Sequence, residues 1–165
     1  MNPLANRPFL RMNGIGNEII VLDLRGAKLQ VSAEDARAIG RAQGLHYDQM
    51  MVLHDPVTAG TLARMKIFNI DGSLSAACGN GTRCVAFALT EGTELRQLAV
   101  ESDAGVLDCW REGPWRFTVD MGAPRLGAAE IPLRDAVADT ASVILPDPPG
   151  GAEAVSYTHL RAHET

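Results

Sequence analysis

Apolar residues along this chain form short continuous runs, an alternating run and two stretches with helical spacing. The run Ile19–Leu22 is continuous and mostly β-branched, which is typical of a strand buried on both faces. Residues 62–68 alternate apolar with basic side chains, which predicts a strand with one face in water. The pattern predicts seven strands: Phe9–Met12, Glu18–Leu24, Met50–Leu53, Leu62–Phe68, Gln97–Glu101, Val106–Trp110 and Trp115–Met121.

Two helices are predicted between these strands. Ser32 begins the first, with Asp35 three residues later as in a capping box, and Gly44 suits the C′ position that ends it. The second follows Cys78 and ends near Glu91. Its apolar residues cover more than one stripe, so we expect a helix enclosed by sheet. The sequence therefore predicts an α+β fold with a sheet around a central helix.

The chain is predicted to contain one main domain, residues 1–121, followed by the start of a truncated second domain at residues 122–154. Residues 1–121 carry all the strong periodic patterns, and residues 122–154 are rich in proline and glycine with a single short apolar run. Between the first two strands, the segment Asn13–Asn17 reads as a loop. It lacks the third glycine and the following helix of a dinucleotide-binding turn.

Composition excludes several classes of protein. The chain has 165 residues and a net charge of −5, which argues against a nucleic-acid surface. No apolar run approaches the ~20 residues that cross a bilayer, so we expect no membrane partner. The start has no signal-peptide pattern. Three cysteines are an odd number that does not suit a disulfide framework, and a reducing cytoplasm is expected.

Candidate chemistry concentrates where Asn69–Ser73 runs on into Ala77–Cys84. Cys78 stands directly before a predicted helix and is followed by two glycines that bracket Asn80. First-turn N–H groups of a helix have no intrahelical partners and favour a bound anion. The same field favours thiolate over thiol, so we expect a pKa below the usual ~8.5 for Cys78. One segment could therefore supply an anion cradle and an activated sulfur.

Other interpretations of Cys78 stay open on spacing alone. A cysteine beside glycines is often a small buried hydrophobic residue at a turn. A phosphate loop fits poorly, because no Gly-Lys-Ser/Thr follows, and no metal is expected, because Cys78 and Cys84 lack zinc-site spacing. A redox pair of these two cysteines lacks the usual close spacing.

Four motifs in order resemble the amino-terminal half of the diaminopimelate epimerase family. They are Met12–Glu18, Tyr47–Gln49, Phe68–Ser73 and Ala77–Cys84. The resemblance implies two similar α/β halves, each wrapping antiparallel sheet around a central helix, with the substrate between them. It implies an isomerase that interconverts LL- and meso-2,6-diaminopimelate with two cysteine bases and no cofactor, pyridoxal phosphate included. A homodimer of the full-length enzyme is a further expectation.

The resemblance also implies roles for individual residues. Cys78 looks like one of the two catalytic bases. The substrate-binding residues, carried over by position, are Asn17, Gln49, Asn69, Gly79 and Asn80. Amide side chains can accept from an ammonium and donate to a carboxylate, which suits the distal amino-acid end of the substrate.

Several expectations concern the extent of the chain. No second cysteine-glycine motif follows Pro124, so we expect an inactive amino-terminal fragment. Residues 155–165 resemble a translated sequencing adaptor and are expected to be a non-native tail. The alternatives left open are a racemase of another amino acid, such as proline, a stand-alone thiol-dependent protein, and a non-catalytic binding module.

Overall fold

The computed structural model describes residues 3–124, 127, 143–144 and 153–154. The chain divides into two compact units, and the first runs to Asp120. In the second, β9 (Val143–Ile144) pairs antiparallel with β10 (Glu153–Ala154). The division into domains at 1–121 and 122–154 stays a prediction, and the expected tail at 155–165 lies outside the described residues.

The first unit contains a sheet of eight strands and two helices. The strands are β1 (Phe9–Gly14), β2 (Asn17–Asp23), β3 (Gln49–His54), β4 (Arg64–Asn69), β5 (Leu74–Ser75), β6 (Gln97–Ser102), β7 (Gly105–Arg111) and β8 (Phe117–Val119). The helices are α1 (Ala33–Arg41) and α2 (Gly79–Thr90). The α+β class is confirmed. Neither helix has the length and apolar content that crossing a bilayer requires, as far as the described residues show.

The sheet is mixed rather than wholly antiparallel. Its order is β1-β2-β3-β4-β6-β7-β8, with β5 paired to β4. The pairs β2–β3 and β4–β6 are parallel, and the other pairs in this sheet are antiparallel. The crossover between β2 and β3 contains α1, and the one between β4 and β6 contains α2. These long connections allow parallel pairing, which a hairpin does not.

The segment predicted as a loop between the first two strands is a tight hairpin. Asn13 and Gly14 belong to β1, Asn17 belongs to β2, and only Ile15 and Gly16 form the turn. Both have positive φ, of 50° and 90°, the combination of a type I′ turn. A β-branched residue rarely adopts this conformation. The prediction of a loop was wrong here, because isoleucine in the sequence does not normally indicate a type I′ turn.

Helix α2 lies inside the curve of the sheet, as expected. It packs against β1, β2, β3, β7 and β8. Most of its residues are buried, including Cys84, Val85 and Ala86. Phe87 stacks on Trp115 with ring centroids 4.8 Å apart. The helix is therefore held by strands from both ends of the unit.

Helix α1 covers the opposite face of the sheet. Ser32 and Asp35 form the capping box that the sequence predicts. The helix ends at Arg41 with Ala42 as its C-cap, so the C′ residue is Gln43 and the prediction of Gly44 at C′ is wrong by one residue. Beneath the helix, Tyr47 is fully buried and donates its hydroxyl to the Ala36 carbonyl at 2.8 Å.

We expect Tyr47→Phe to lower the free energy of unfolding by about 1 kcal/mol, because one buried hydrogen bond is lost while the ring stays in place. Urea denaturation followed by circular dichroism measures the change. A free energy of unfolding equal to that of the unsubstituted protein would show that the bond to Ala36 adds nothing to stability.

Candidate active site

Cys78 is the N-cap residue of α2, as the sequence predicts. Its Sγ accepts a hydrogen bond from the Gly81 N–H at 3.2 Å, and its carbonyl accepts from the Thr82 N–H and hydroxyl at 2.9 and 2.8 Å. The side chain is half-buried. A cysteine thus takes the capping role that serine, threonine or aspartate usually fills. Gly79 and Asn80 follow it as the first residues of the helix.

The expected low pKa of Cys78 is wrong for this chain. Burial raises the pKa of the thiol above its usual value, because the thiolate loses hydration. The N–H groups of Gly81 and Asn80 lower this pKa, as the sequence argument anticipated, and so does the charge of Arg83, but together they do not outweigh burial. The spacing of residues in the sequence indicates which N–H groups lie near the Cys78 sulfur. The burial of that sulfur depends instead on how the sheet closes over the helix.

The first turn of α2 lies directly on β3. A Cβ added at Gly81 would be 2.5 Å from the Met51 sulfur, so any other residue here would require the Met51 side chain to move. Gln49 precedes Met51 by two residues on the same strand and therefore shares its face. Asn69 is the register partner of Gln49 across β4, and Gln49 Nε2 donates to Asn69 Oδ1 at 3.1 Å. Both amides thus lie on the face that α2 covers.

Asn17 lies on this face as well. Ile19 is the register partner of Gln49 in the parallel pair β2–β3, and Asn17 precedes it by two residues. Across the hairpin Asn17 pairs with Gly14, whose added Cβ would be 3.2 Å from the Asn80 carbonyl oxygen. The structure thus places the three amides on the sheet face that carries Cys78 at the helix terminus. Their role in binding stays a prediction.

Arg83 is a component that the sequence analysis did not assign. It is buried on α2, and its Nη2 donates to Asn80 Oδ1 at 2.5 Å. Asn80 is therefore fixed between this guanidinium and the hairpin at Gly14. The available signal was a charged residue within an otherwise apolar buried helix.

A pocket of about 200 Å³ opens beside the start of α2. It is lined by the tip of the β1–β2 hairpin, by Asn80 and Arg83, and by the stacked rings of Phe87 and Trp115. A larger apolar cavity, of about 440 Å³, lies on the α1 face and includes none of the predicted site residues. Of the predicted site residues, Asn80 lines the smaller pocket together with Cys84, and Cys78, Asn17, Gln49 and Asn69 line neither of these two cavities.

We expect iodoacetamide to alkylate Cys78 well before the other two cysteines. Cys84 and Cys109 are 4% and 0% exposed, and burial raises their pKa values to about 11 and about 12. Because the pKa of Cys78 is also raised, its alkylation rate should increase about tenfold per pH unit up to pH ~9. Peptide mass spectrometry measures the order, and Cys78→Ser should remove the fast phase. Equal rates at Cys78 and Cys84 would contradict the placement.

Sequence comparisons with known proteins agree on one family. A sequence profile of the diaminopimelate epimerase family matches residues 9–127. The diaminopimelate epimerases of Methylocella silvestris and Rhodopseudomonas palustris are each 54% identical over 145 residues, which cover 88% of this chain and 50% of theirs. The chain thus spans about half the length of these relatives.

A solved structure shows the same fold at lower similarity. It is the Bacillus anthracis phenazine biosynthesis protein of the PhzF family, with a TM-score of 0.51 and 21% identity, covering 76% of this chain and 44% of that one. At this identity the likeness concerns the fold alone. The family profile, by contrast, covers well over half of the chain, including Cys78 and the amide-bearing strands. The chain belongs to the diaminopimelate epimerase family.

Proposed function

We propose that the protein to which this chain belongs interconverts LL- and meso-2,6-diaminopimelate, with Cys78 as one of two acid–base groups. The observation that carries the proposal is Cys78 at the amino end of α2, on the sheet face that also carries Asn17, Gln49 and Asn69. Membership of the family supplies the substrate class.

The chemistry requires a proton to leave one face of the α-carbon and another to arrive on the opposite face. The α-proton of an amino acid is far less acidic than a thiol, so the charge that develops on the carboxylate must be stabilised. First-turn N–H groups of α2, from Gly79 and Asn80, supply preorganised donors for that carboxylate. We assign the distal amino-acid end of the substrate to Asn17, Gln49 and Asn69.

Cys78 would act in one direction as an acid and in the other as a base. Its raised pKa keeps it largely protonated near neutral pH, which suits the acid role. The N–H groups and Arg83, which favour the thiolate, would serve the reverse direction. The second group would stand on the other face of the substrate.

The remaining parts of the proposal follow from this reaction. Removal of the α-proton by one cysteine and delivery of a proton to the carbon by the other would proceed without pyridoxal phosphate. The product would feed lysine and cell-wall precursor synthesis, and we propose that the protein works in the cytoplasm. We also propose that the full-length enzyme forms a homodimer.

Protection of Cys78 against alkylation tests the proposed substrate. LL-2,6-diaminopimelate should slow the reaction of iodoacetamide with Cys78, because the reacting carbon would cover the sulfur. L-proline should not, since it has no distal amino-acid end for the amides to hold. Alkylation of the denatured protein controls for effects of the amino acids on the reagent. Equal protection by proline would favour a racemase of another amino acid, and no protection by either would contradict the proposal.

A further inference from the structure

A chain of hydrogen bonds leads from a surface carboxylate to the site amides. The Ser73 hydroxyl donates to Asp71 Oδ1 at 2.6 Å, and the Ser73 N–H donates to the same oxygen at 2.8 Å. Asn69 Nδ2 donates to Ser73 Oγ at 2.9 Å. Gln49 Nε2 donates to Asn69 Oδ1 at 3.1 Å. Four side chains are thus connected in one sequence of donors and acceptors.

The carboxylate of Asp71 determines which atom donates and which accepts in each of these hydrogen bonds. An ionised carboxylate only accepts, and the hydrogen bonds from Ser73 lower the pKa of Asp71, which keeps it ionised. The single hydroxyl proton of Ser73 is therefore committed to Asp71, and Ser73 Oγ can only accept from its other neighbour. Asn69 must turn its NH₂ toward Ser73 and its carbonyl toward Gln49. Gln49 must in turn donate its NH₂ to Asn69.

The far end of the chain is an acceptor without a partner. Gln49 Oε1 is buried and accepts no hydrogen bond from any residue that the structure describes. Gln49 as a whole is half-buried, so the residue that carries this oxygen is partly open to solvent. An N–H donor is the group this oxygen lacks, and an ammonium makes the stronger, charge-assisted bond.

We propose that Asp71 and Ser73 are positioning residues: they orient the Asn69 and Gln49 amides so that Gln49 Oε1 accepts from an ammonium group of the ligand. Neither residue touches the ligand itself. The ligand part of this inference rests on the proposed function, because that function places the distal amino-acid end at these amides. The orientation part rests only on the hydrogen-bond chain.

Side-chain amide NMR of the complete polypeptide tests the orientation of the Asn69 and Gln49 amides. In Ser73→Ala, the Asn69 and Gln49 NH₂ signals should shift and their protons should exchange faster with water, because the fixed acceptor is gone. Ser73→Thr retains a hydroxyl and should restore both signals. Ser75→Ala is the matched control, because the Ser75 hydroxyl donates to the Ala77 carbonyl and takes no part in these hydrogen bonds. Unchanged Asn69 and Gln49 signals in a folded Ser73→Ala protein would overturn the orientation role.

Ligand titration tests the acceptor. LL-2,6-diaminopimelate should shift the Gln49 amide signals, whereas pimelate, which has the same carbon chain and no ammonium groups, should not. Ser73→Ala should bind LL-2,6-diaminopimelate about tenfold more weakly, the loss of one charge-assisted bond, and Ser73→Thr should recover the affinity. Equal Gln49 shifts with pimelate would overturn the acceptor role. A full amide response to Ser73→Ala without any binding of LL-2,6-diaminopimelate would refute the substrate assignment and, with it, the acceptor role, but would leave the orientation role standing.

Discussion

Incubated with LL-2,6-diaminopimelate in deuterated water, this chain is expected to form the meso isomer more than about 10⁴-fold more slowly than the full-length relative from Methylocella silvestris. Inversion needs an acid and a base on opposite faces of the carbon. All three cysteines lie in the described part of the chain, and Cys84 and Cys109 are buried away from solvent. Cys78 is the one half-buried cysteine of the three, and we expect it alone to exchange a proton with the substrate. Proton NMR and chiral chromatography measure exchange and inversion separately.

The same experiment separates a working half-site from an inert one. Slow deuterium exchange at the α-carbon without inversion is the result expected of Cys78 alone, and Cys78→Ala should abolish it. Conversion to the meso isomer at a rate near that of the full-length relative would refute the expectation. Exchange that persists in Cys78→Ala would mean that another group removes the proton.

Replacing Gly72 by alanine is expected to cost about 2–5 kcal/mol of unfolding free energy. Gly72 has a φ of 83°, and its added Cβ would lie 2.5 Å from the Ala33 carbonyl oxygen and 2.8 Å from Arg37 Nη1. The left-handed backbone costs an alanine about 1–2 kcal/mol. Moving the turn off the start of α1 adds an overpacking cost of about 1–3 kcal/mol. Urea denaturation measures the total.

Gly44→Ala is the matched control for this substitution. Gly44 has a nearly equal φ of 78°, but its added Cβ meets nothing within 4 Å. It should therefore show the backbone cost alone, about 1–2 kcal/mol. Equal losses at the two positions would mean that the contact with Ala33 relaxes freely. Because Gly72 lies between Asp71 and Ser73, its substitution should also disturb the amide orientation at Asn69.

Much of the fold was accessible from local patterns. The buried run Ile19–Leu22, the capping box at Ser32 and Asp35, and the cysteine before α2 each express a rule that acts within a few residues. The parallel pairing of β2 with β3 was not accessible, since it depends on where α1 places two strands far apart in sequence. The two-residue strand β5 is too short to produce any period.

The candidate site residues could be named from the sequence, but their chemical environment could not. Cys78 and the amides follow from motif and resemblance. The direction of the pKa shift at Cys78 depends on burial by the sheet, which no spacing reveals. Ser73 reads in sequence as an ordinary turn residue. The proposed positioning of Gln49 by Ser73 depends on the pairing of β3 with β4. This pairing places Asn69 between the Ser73 and Gln49 side chains.

The enclosure of α2 has a consequence for how the protein is made. The helix packs against β1–β3, which are synthesised before it, and against β7 and β8, which follow it. When α2 has just left the ribosome, the strands β7 and β8 have not yet emerged. Only part of the surface that will bury the helix is then present. Closing contacts between such distant segments is slow. We expect the apolar helix to stay exposed until residues near Val119 emerge, an interval in which a chaperone that binds apolar helices would find its substrate.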